Sequence, residues 1–311
     1  MGVAPTTPEL RAAVEANLFP ASRAAVEPWD EFPWHGPDTA KINASQALAI
    51  DLFGTLKLSS DKDIVLGSLA RDLGLPAEGP WKVCLEWSDI SPNHMRETAR
   101  TAVDVVLSSP RALIFVECKF TEISGAKCSQ RKPIAKGANR GIVQCNGSYA
   151  LQTNLANKLE SRCALTAKAI RYWEVIPQVF NLTSDIDYSP CPFAGPWFQW
   201  MRNLTVCHAV ARSQGQQPAF VLAYADGPTL PVAGHVRSLD WQTFLGHTRP
   251  EAIQCHAVSF QEILGLIQKA APDNPVWSEL SAWVDNKIKV VCATRAEAKH
   301  SHRHRLAAIN Q

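Results

Sequence analysis

The stretch Thr101-Ala-Val-Asp-Val-Val-Leu-Ser-Ser-Pro-Arg-Ala-Leu-Ile-Phe-Val-Glu-Cys-Lys119 decides the fold of this chain. Two apolar, β-branched runs flank the turn-forming segment Ser108–Arg111, and this pattern predicts a β-hairpin. Side chains on a strand alternate between its two faces, so Glu117 and Lys119 share one face. Asp104 joins them from the neighbouring strand. The hairpin therefore brings two carboxylates and one ammonium group together.

The expected register of this hairpin follows from the turn. If Leu107 pairs with Ala112 across the turn, Asp104 falls opposite Phe115. Phe115 lies on the same face of its strand as Glu117 and Lys119. The opposite face is apolar, which is typical of a strand that covers a core.

These residue types suit the hydrolysis of a phosphodiester. We expect Asp104 and Glu117 to hold a divalent cation, with the backbone carbonyl of Cys118 as a third ligand. Lys119 would orient the attacking water or stabilise charge on the phosphate. Glu86 is a further candidate ligand, or else an ordinary residue on a solvated strand face. The alternative for the whole group is a salt bridge on an exposed sheet, although unpaired charge after such an apolar run is costly.

The Asp104…Glu117-Cys118-Lys119 pattern resembles the PD-(D/E)XK nuclease superfamily, in which a proline usually stands at the position of Val103. Two more segments, Asn43–Leu56 and Gln199–Leu204, resemble an uncharacterised bacterial branch of these proteins. The resemblance covers about residues 40 to 225. It implies an α/β protein with the restriction-endonuclease-like fold, a mixed β-sheet flanked by helices. A helical C-terminal extension is expected to follow.

The resemblance also implies an activity. We expect a Mg²⁺- or Mn²⁺-dependent phosphodiesterase, an endonuclease acting on DNA in bacterial restriction, defence or repair. The alternative is a catalytically inactive nucleic-acid-binding protein of the same fold, acting as a subunit of a larger system. The complete Asp/Glu/Lys set favours the enzyme, because a degenerate site usually loses one of these groups. The sequence leaves open DNA versus RNA, endonuclease versus exonuclease action, and monomer versus homodimer.

Several polar residues are candidates for substrate binding. Gln199, Arg202 and Asn203 are spaced i, i+3, i+4 and so share one helix face, where an arginine beside amides suits a phosphate oxygen or a base edge. This placement is similar to a glutamine-bearing helix beside the metal site of several superfamily members. An ordinary exposed face is the alternative. Gln46, in the first turn of a helix predicted after Ser45, is a further candidate.

A basic segment follows the lysine of the hairpin. Lys132, Lys136 and Arg140 lie among Gly, Ser and Pro residues, as expected for a loop that tracks phosphates. A solvated run of charge is the alternative.

Four of the nine cysteines, Cys128, Cys145, Cys163 and Cys191, are spread through the most loop-rich part of the chain. Four thiolates could bind zinc or an iron–sulfur cluster, which some nucleases of the superfamily contain. No pair has C-x-x-C spacing, so the sequence favours the alternative that cysteine acts as a small buried apolar residue.

Four further patterns predict individual elements. Trp81–Trp87 alternates and should be the strand before the hairpin, and Pro218–Ala225 is an apolar strand. Tyr172–Phe180 is expected to be extended and to be broken by Pro177. Ser259–Glu262 is a capping box that predicts a helix start.

Composition limits the class of protein. The chain has 311 residues, 46% hydrophobic content and a net charge of +2, so any DNA-binding surface must be a local patch. No apolar run approaches the length of a membrane span, and the first residues lack the pattern of a signal peptide, so we expect a cytoplasmic protein with reduced thiols.

We expect four segments: an N-terminal helix and loop at 1–40, a nuclease-like core at 41–226, a helical extension at 227–294 and a disordered basic tail at 295–311.

Overall fold

The computed structural model describes residues 7–90, 93–98, 100–122, 125–138, 140–145, 147–149, 163–182 and 189–309. Its strands are β1 Lys82–Ser88, β2 Ala102–Ser108, β3 Ala112–Lys119, β4 Ser148–Tyr149, β5 Ser189–Pro190, β6 Gln217–Tyr224 and β7 Gln254–Ser259. Five of them form one sheet in the order β1-β2-β3-β6-β7, while β4 and β5 form a separate ribbon.

The α-helices flank this sheet. They are α1 Pro8–Asn17, α2 Ser45–Ala49, α3 Thr55–Leu58, α4 Lys62–Asp72, α5 Ala164–Ala167, α6 Tyr172–Val179, α7 Phe198–Gln214, α8 Pro231–Val236, α9 Leu239–His247, α10 Phe260–Ala270 and α11 Pro275–Ile309. A π-helical turn, Ile50–Gly54, joins α2 to α3. No helix among the described residues is long and apolar enough to cross a membrane.

The sheet is mixed. β1, β2 and β3 pair antiparallel, whereas β3, β6 and β7 pair parallel. The α/β class predicted from the sequence is confirmed, and the flanking helices and the long C-terminal helix are consistent with a restriction-endonuclease-like fold. The predicted strands around Trp81–Trp87 and Pro218–Ala225 are present as β1 and β6.

The register of the β2–β3 hairpin differs from the predicted one. Leu107 pairs with Ile114 rather than with Ala112, because a two-residue turn is closed by a bond of 2.9 Å from the Ser109 amide to the Ala112 carbonyl. The shift is two residues. Because side chains alternate with a period of two, an even shift leaves every residue on its expected face. Asp104 therefore keeps its predicted side of the sheet.

Strand β3 is buried on both faces. Ile114 and Val116 pack into one apolar cluster, on the side of α2, α4, α10 and α11. Leu113 and Phe115 pack into a second cluster, against α6, α7 and α9. Every residue of β3 is buried. A charged side chain at the end of this strand must therefore find its partners within the protein.

Two segments differ from their predicted conformation. Tyr172–Val179 is a helix that accommodates Pro177, rather than an extended segment; its strongly apolar face packs into the second cluster, so tertiary packing outweighs the proline. The C-terminal helix α11 continues to Ile309 through most of the tail that the sequence predicts to be disordered. The residues of this tail are mostly good helix formers, and the segment contains neither glycine nor proline.

A buried ion pair attaches α11 to the N-terminal half of the chain. Lys287 donates to Asp51 over 2.6 Å and to the Asn17 carbonyl, and both charged side chains are almost inaccessible to water. Asp51 also accepts from the Phe19 amide (2.6 Å) and the Trp283 indole (2.9 Å). The pair is fully compensated by hydrogen bonds, which is the condition under which a buried pair is tolerated.

Replacing Lys287 with alanine should lower the free energy of unfolding by about 3–5 kcal/mol, because Asp51 would remain buried without its cation. Urea unfolding followed by circular dichroism measures this change. Lys289→Ala, an exposed lysine on the same helix, is the matched control and should be nearly neutral. Equal stabilities of the two variants would show that the ion pair does not hold α11.

Candidate active site

The three residues singled out from the hairpin lie together at its open end, where β2 begins and β3 ends. The Cys118 amide donates to Asp104 Oδ2 over 2.6 Å, which fixes this carboxylate against the backbone of β3. Lys119 Nζ donates to Glu117 Oε1 over 2.6 Å. Glu117 and Lys119 are both buried, with 2% and 8% of their surface exposed. This excludes the alternative of a salt bridge on an exposed sheet.

Helix α7 supplies two more donors to Glu117. Gln199 Nε2 donates to Oε1 over 2.5 Å and Asn203 Nδ2 to Oε2 over 2.7 Å. Together with Lys119, three donors occupy three of the roughly four acceptor positions of this carboxylate. The i, i+4 spacing of the two amides therefore serves to hold Glu117, while one position on Oε2 is left for a further ligand.

The charges in this group act strongly on one another. Burial, together with the carboxylate of Glu117, raises the pKa of Asp104 well above its ordinary value. Burial alone would lower the pKa of Lys119, but Glu117 and Asp104 outweigh it and raise that pKa. Lys119 is therefore an ammonium group in this arrangement; it donates a hydrogen bond to Glu117 and places a positive charge beside the carboxylates.

Glu86 lies beside Asp104 and is not on a solvated strand face. Its side chain is 6% exposed and is held by Gln46 Nε2 at 2.8 Å and by His35 Nε2 at 3.2 Å. Its backbone has a φ of +52°, and the strand alternation breaks there. As a result Trp87 packs against Phe115 in the second cluster instead of joining the first.

Gln46 holds the side chain of Glu86 in place and is not an exposed residue on a helix surface. Its Oε1 accepts from the His35 amide (2.9 Å) and the Thr39 hydroxyl (2.5 Å), and its Nε2 also donates to the Pro33 carbonyl (3.1 Å). The hydrogen bond to Glu86 raises the pKa of His35. A cleft of about 300 Å³ opens here, and its walls include His35, Gln46 and Glu122.

Glu122 is a residue of this site that the sequence analysis missed. Its carboxylate accepts from the amides of Phe120 (2.8 Å) and Thr121 (2.9 Å) and from the hydroxyl of Ser45 (2.7 Å). Burial would raise the pKa of Glu122, but Lys119 and these hydrogen bonds lower it. The only feature of the sequence that could have indicated Glu122 is its position three residues after Lys119. The alternation of strand faces could not place its side chain, because β3 ends at Lys119.

Arg202 does not face Glu117. Its guanidinium donates to Glu97 (2.8 Å) and to the Tyr172 hydroxyl (2.9 Å), and Tyr172 also donates to Glu97. The side chain is mostly buried. The helical spacing predicts that Arg202 binds substrate, but the structure places it in a polar cluster with Glu97 and Tyr172. Neither Glu97 nor Tyr172 stood out in the sequence, because they are distant from Arg202 along the chain.

The start of α7 is fixed by a segment that follows the hairpin. The Gln199 amide donates to the Gly125 carbonyl over 2.6 Å, and the Phe198 amide to the Ala126 carbonyl over 3.2 Å. A Cβ atom at Gly125 would lie 2.7 Å from the ring of Trp200, so only glycine allows this approach. The segment thereby sets the position of Gln199 relative to Glu117.

The basic loop lies at the surface. Lys132, Lys136 and Arg140 are all exposed. The loop is closed by backbone bonds between Ile134 and Ile142 (3.0 Å) and between the Gly141 amide and the Ile134 carbonyl (2.9 Å). Its three cations are available to a partner, but the structure does not bring them to the carboxylates.

The four cysteines converge. Cys128, Cys145, Cys163 and Cys191 line a single cavity next to α6 and α7, although they come from four separate segments. Each is partly buried. Within the described ranges, no group of three or more His, Cys, Asp or Glu side chains is arranged to hold a single metal ion.

Comparison with protein families assigns this chain to a class, namely the restriction-endonuclease-like proteins. The family described as "Restriction Endonuclease associating with ARP" matches residues 14–283, and the chain belongs to this family. The match includes the whole β2–β3 hairpin, α7 and the four cysteines. Comparisons with curated proteins and with solved structures gave no match.

Removing one α7 amide should destabilise the protein through Glu117. In Asn203→Ala a buried carboxylate oxygen loses its donor, so we expect the free energy of unfolding to fall by about 1–3 kcal/mol. Gln214→Ala, on an exposed part of the same helix, is the control.

A double-mutant cycle with Glu117→Gln separates this effect from the loss of side-chain volume. A coupling near zero between positions 117 and 203 would mean that the amide does not stabilise the carboxylate.

Proposed function

We propose that the protein is a metal-dependent nuclease of the PD-(D/E)XK type, which hydrolyses phosphodiester bonds in DNA. The observation that carries the proposal is the convergence of Asp104, Glu117 and Lys119 at a buried strand end, in a chain of a restriction-endonuclease family. The set of three is complete, which supports an enzyme rather than a subunit that only binds nucleic acid.

The donor set fits a hard divalent cation. The carboxylates of Asp104 and Glu117 lie close together, and burial together with the charge of Glu117 raises the pKa of Asp104. A cation between the two carboxylates would offset both their mutual repulsion and the cost of burying their charge. Asp104 uses only Oδ2 for the Cys118 amide, so Oδ1 remains available. We propose Mg²⁺ or Mn²⁺, held by Asp104, Glu117 and the Cys118 carbonyl. Oxygen ligands and several retained waters are what Mg²⁺ prefers.

A bound cation of this kind lowers the pKa of a coordinated water and neutralises charge on phosphate. Lys119 contributes a fixed positive charge, which stabilises the developing charge on the phosphate oxygens. As a hydrogen-bond donor it can also orient the attacking water. Glu86 is held beside Asp104 by Gln46 and His35, so it can bind a metal-coordinated water as well as the metal itself.

The surface near the site supports substrate binding. The cleft of about 300 Å³ beside Gln46 is bordered by Lys41 and Asn43, which can contact phosphate and sugar oxygens. We propose that the cations of the 132–140 loop add non-specific contacts to the DNA backbone. Association with a partner protein, ARP, is proposed from the family description, and a homodimer remains compatible with a nuclease that cuts both strands.

The near-isosteric variants Asp104→Asn, Glu117→Gln and Lys119→Met should each lower Mg²⁺-dependent cleavage of plasmid DNA by about 100-fold or more, because each removes a charge at the reacting phosphate. Glu251→Ala, an exposed acid far along the chain, should cleave like the native protein. Retained folding is checked by circular dichroism. Native rates in a folded Glu117→Gln variant would refute the proposed site.

Neutralising Lys132, Lys136 and Arg140 together should weaken DNA binding and reduce its salt dependence. Each lost phosphate contact lowers the slope of log K against log salt by about 0.9, so the decrease is at most about 2.7. Titrations with Ca²⁺ in place of Mg²⁺ would measure binding without cleavage. Neutralising Arg71, Lys82 and Lys269, exposed cations on other elements, is the control. An unchanged slope in the loop variant would show that the loop does not contact DNA and is only a solvated run of charge.

A further inference from the structure

A second cleft, of about 640 Å³, lies outside the carboxylate site. It is formed by the segment 93–96 between β1 and β2, by α6 and by the C-terminal part of α7. Arg212, in its wall, comes nine positions after Asn203 on α7, which corresponds to about 13 Å along the helix axis. The cleft and the carboxylate site therefore share a helix but are separate places on it.

The cleft has an excess of positive charge. Arg96, Arg171 and Arg212 line it, whereas Glu174 is the one carboxylate among the described residues of its wall. Apart from the histidines, three guanidinium groups against one carboxylate leave a net charge of +2. Positive charge that is gathered in a concave surface raises the local concentration of anions.

The protein itself uses only part of the donor capacity of these arginines. Arg171 Nε donates to Glu174 over 2.6 Å, and Arg212 Nη1 donates to Gln178 over 2.7 Å. Within the described part of the chain, the side chain of Arg96 makes no hydrogen bond or ion pair. A guanidinium group has five N–H donors, so most of the donors in the cleft remain for a ligand.

A histidine and a serine are held in the same wall. The buried Asp89 accepts from the His94 amide over 2.6 Å, and its Oδ1 lies 3.0 Å from His94 Nδ1. A carboxylate accepts hydrogen bonds, so it keeps the proton on Nδ1 and orients the ring. Nε2 then lies 3.3 Å from Ser213 Oγ. The Ser213 hydroxyl donates to the Val210 carbonyl over 2.7 Å, and by rotation it can donate to an anion in the cleft instead.

The backbone of the segment 93–96 is strained. Asn93 and Arg96 both have a φ of +53°, a conformation that side chains other than glycine seldom adopt. The Asn93 side chain stabilises the segment, because its Nδ2 donates to the Glu97 carbonyl over 3.0 Å and its Oδ1 accepts from the Glu97 amide over 2.9 Å. Strain that is held in place by the surrounding structure is typical of binding segments. Here it accompanies an arginine in the wall of the cleft.

We propose that this cleft binds a small phosphate monoester of the nucleotide class. Such a phosphate carries a charge of about −1.5 to −2 at neutral pH, which matches the charge of the cleft, whereas each phosphodiester of DNA carries only one. Guanidinium groups suit phosphate oxygens. Met95, Val175 and Ala209 add apolar surface against which a planar base can pack. The volume lies in the range of small-molecule sites, about 300–1,000 Å³. The inference does not depend on the chemistry of the carboxylate site.

Isothermal titration calorimetry of the full-length protein tests the proposal. The probes are the 5′-monophosphates of adenosine, guanosine, cytidine and uridine, together with inorganic phosphate and adenosine. We expect at least one of the nucleotides to bind at one site per chain and more tightly than inorganic phosphate. Adenosine, which lacks the phosphate, should not bind measurably. Absence of binding by all four nucleotides at about 1 mM would overturn the proposal.

Variants place the bound nucleotide in this cleft. Arg96→Gln and Arg212→Gln change exposed residues, and each should weaken nucleotide binding by about tenfold or more through the loss of a charge-assisted hydrogen bond. Arg71→Gln, an exposed arginine on α4, is the matched control and should bind like the native protein. Native affinity in both cleft variants would contradict the assignment. So would variants that keep nucleotide binding but lose affinity for a DNA duplex in Ca²⁺, because the cleft would then be a DNA-binding surface.

Discussion

The rest of this structure depends on one buried carboxylate. Glu117 stands at the end of a strand that is covered on both faces, and its charge is compensated by Lys119, Gln199 and Asn203. These donors come from the hairpin and from α7, so the hydrogen bonds to Glu117 fix the helix against the sheet. Asp104 can then approach from β2. If the carboxylate of Glu117 had no function, an apolar residue at this position would avoid the free-energy cost of burying a charge.

The remaining polar side chains extend this arrangement outward. Gln46 and His35 hold Glu86 on one side of the carboxylates, and Glu122 lies near Lys119. On the other side, α7 borders the cavity of the four cysteines. The candidate active site and this cavity thus share one helix, and Gln199, which donates to Glu117, lies between two residues that line the cavity.

Local patterns predicted the parts of the fold that depend on a single strand or turn. The hairpin, the faces of Asp104 and Glu117, the strand β1 and the start of α10 followed from alternation and capping. The exact register did not, because the turn has two residues instead of the expected four, and this difference shifts the pairing by two. The helical conformation of Tyr172–Val179 could not be predicted, since packing of its apolar face outweighs the proline. The partners of Arg202 and the convergence of the cysteines depend on contacts between distant segments, which spacing alone cannot reveal.

The central claim is that Asp104 and Glu117 together bind a catalytic divalent cation. Anomalous X-ray diffraction from crystals soaked in Mn²⁺ tests it most directly. We expect one strong peak within bonding distance of Asp104 Oδ1 and Glu117 Oε2, the two oxygens with acceptor positions to spare, and its loss in Asp104→Asn. Crystals that bind Mn²⁺ elsewhere, with no peak between these carboxylates, would contradict the account.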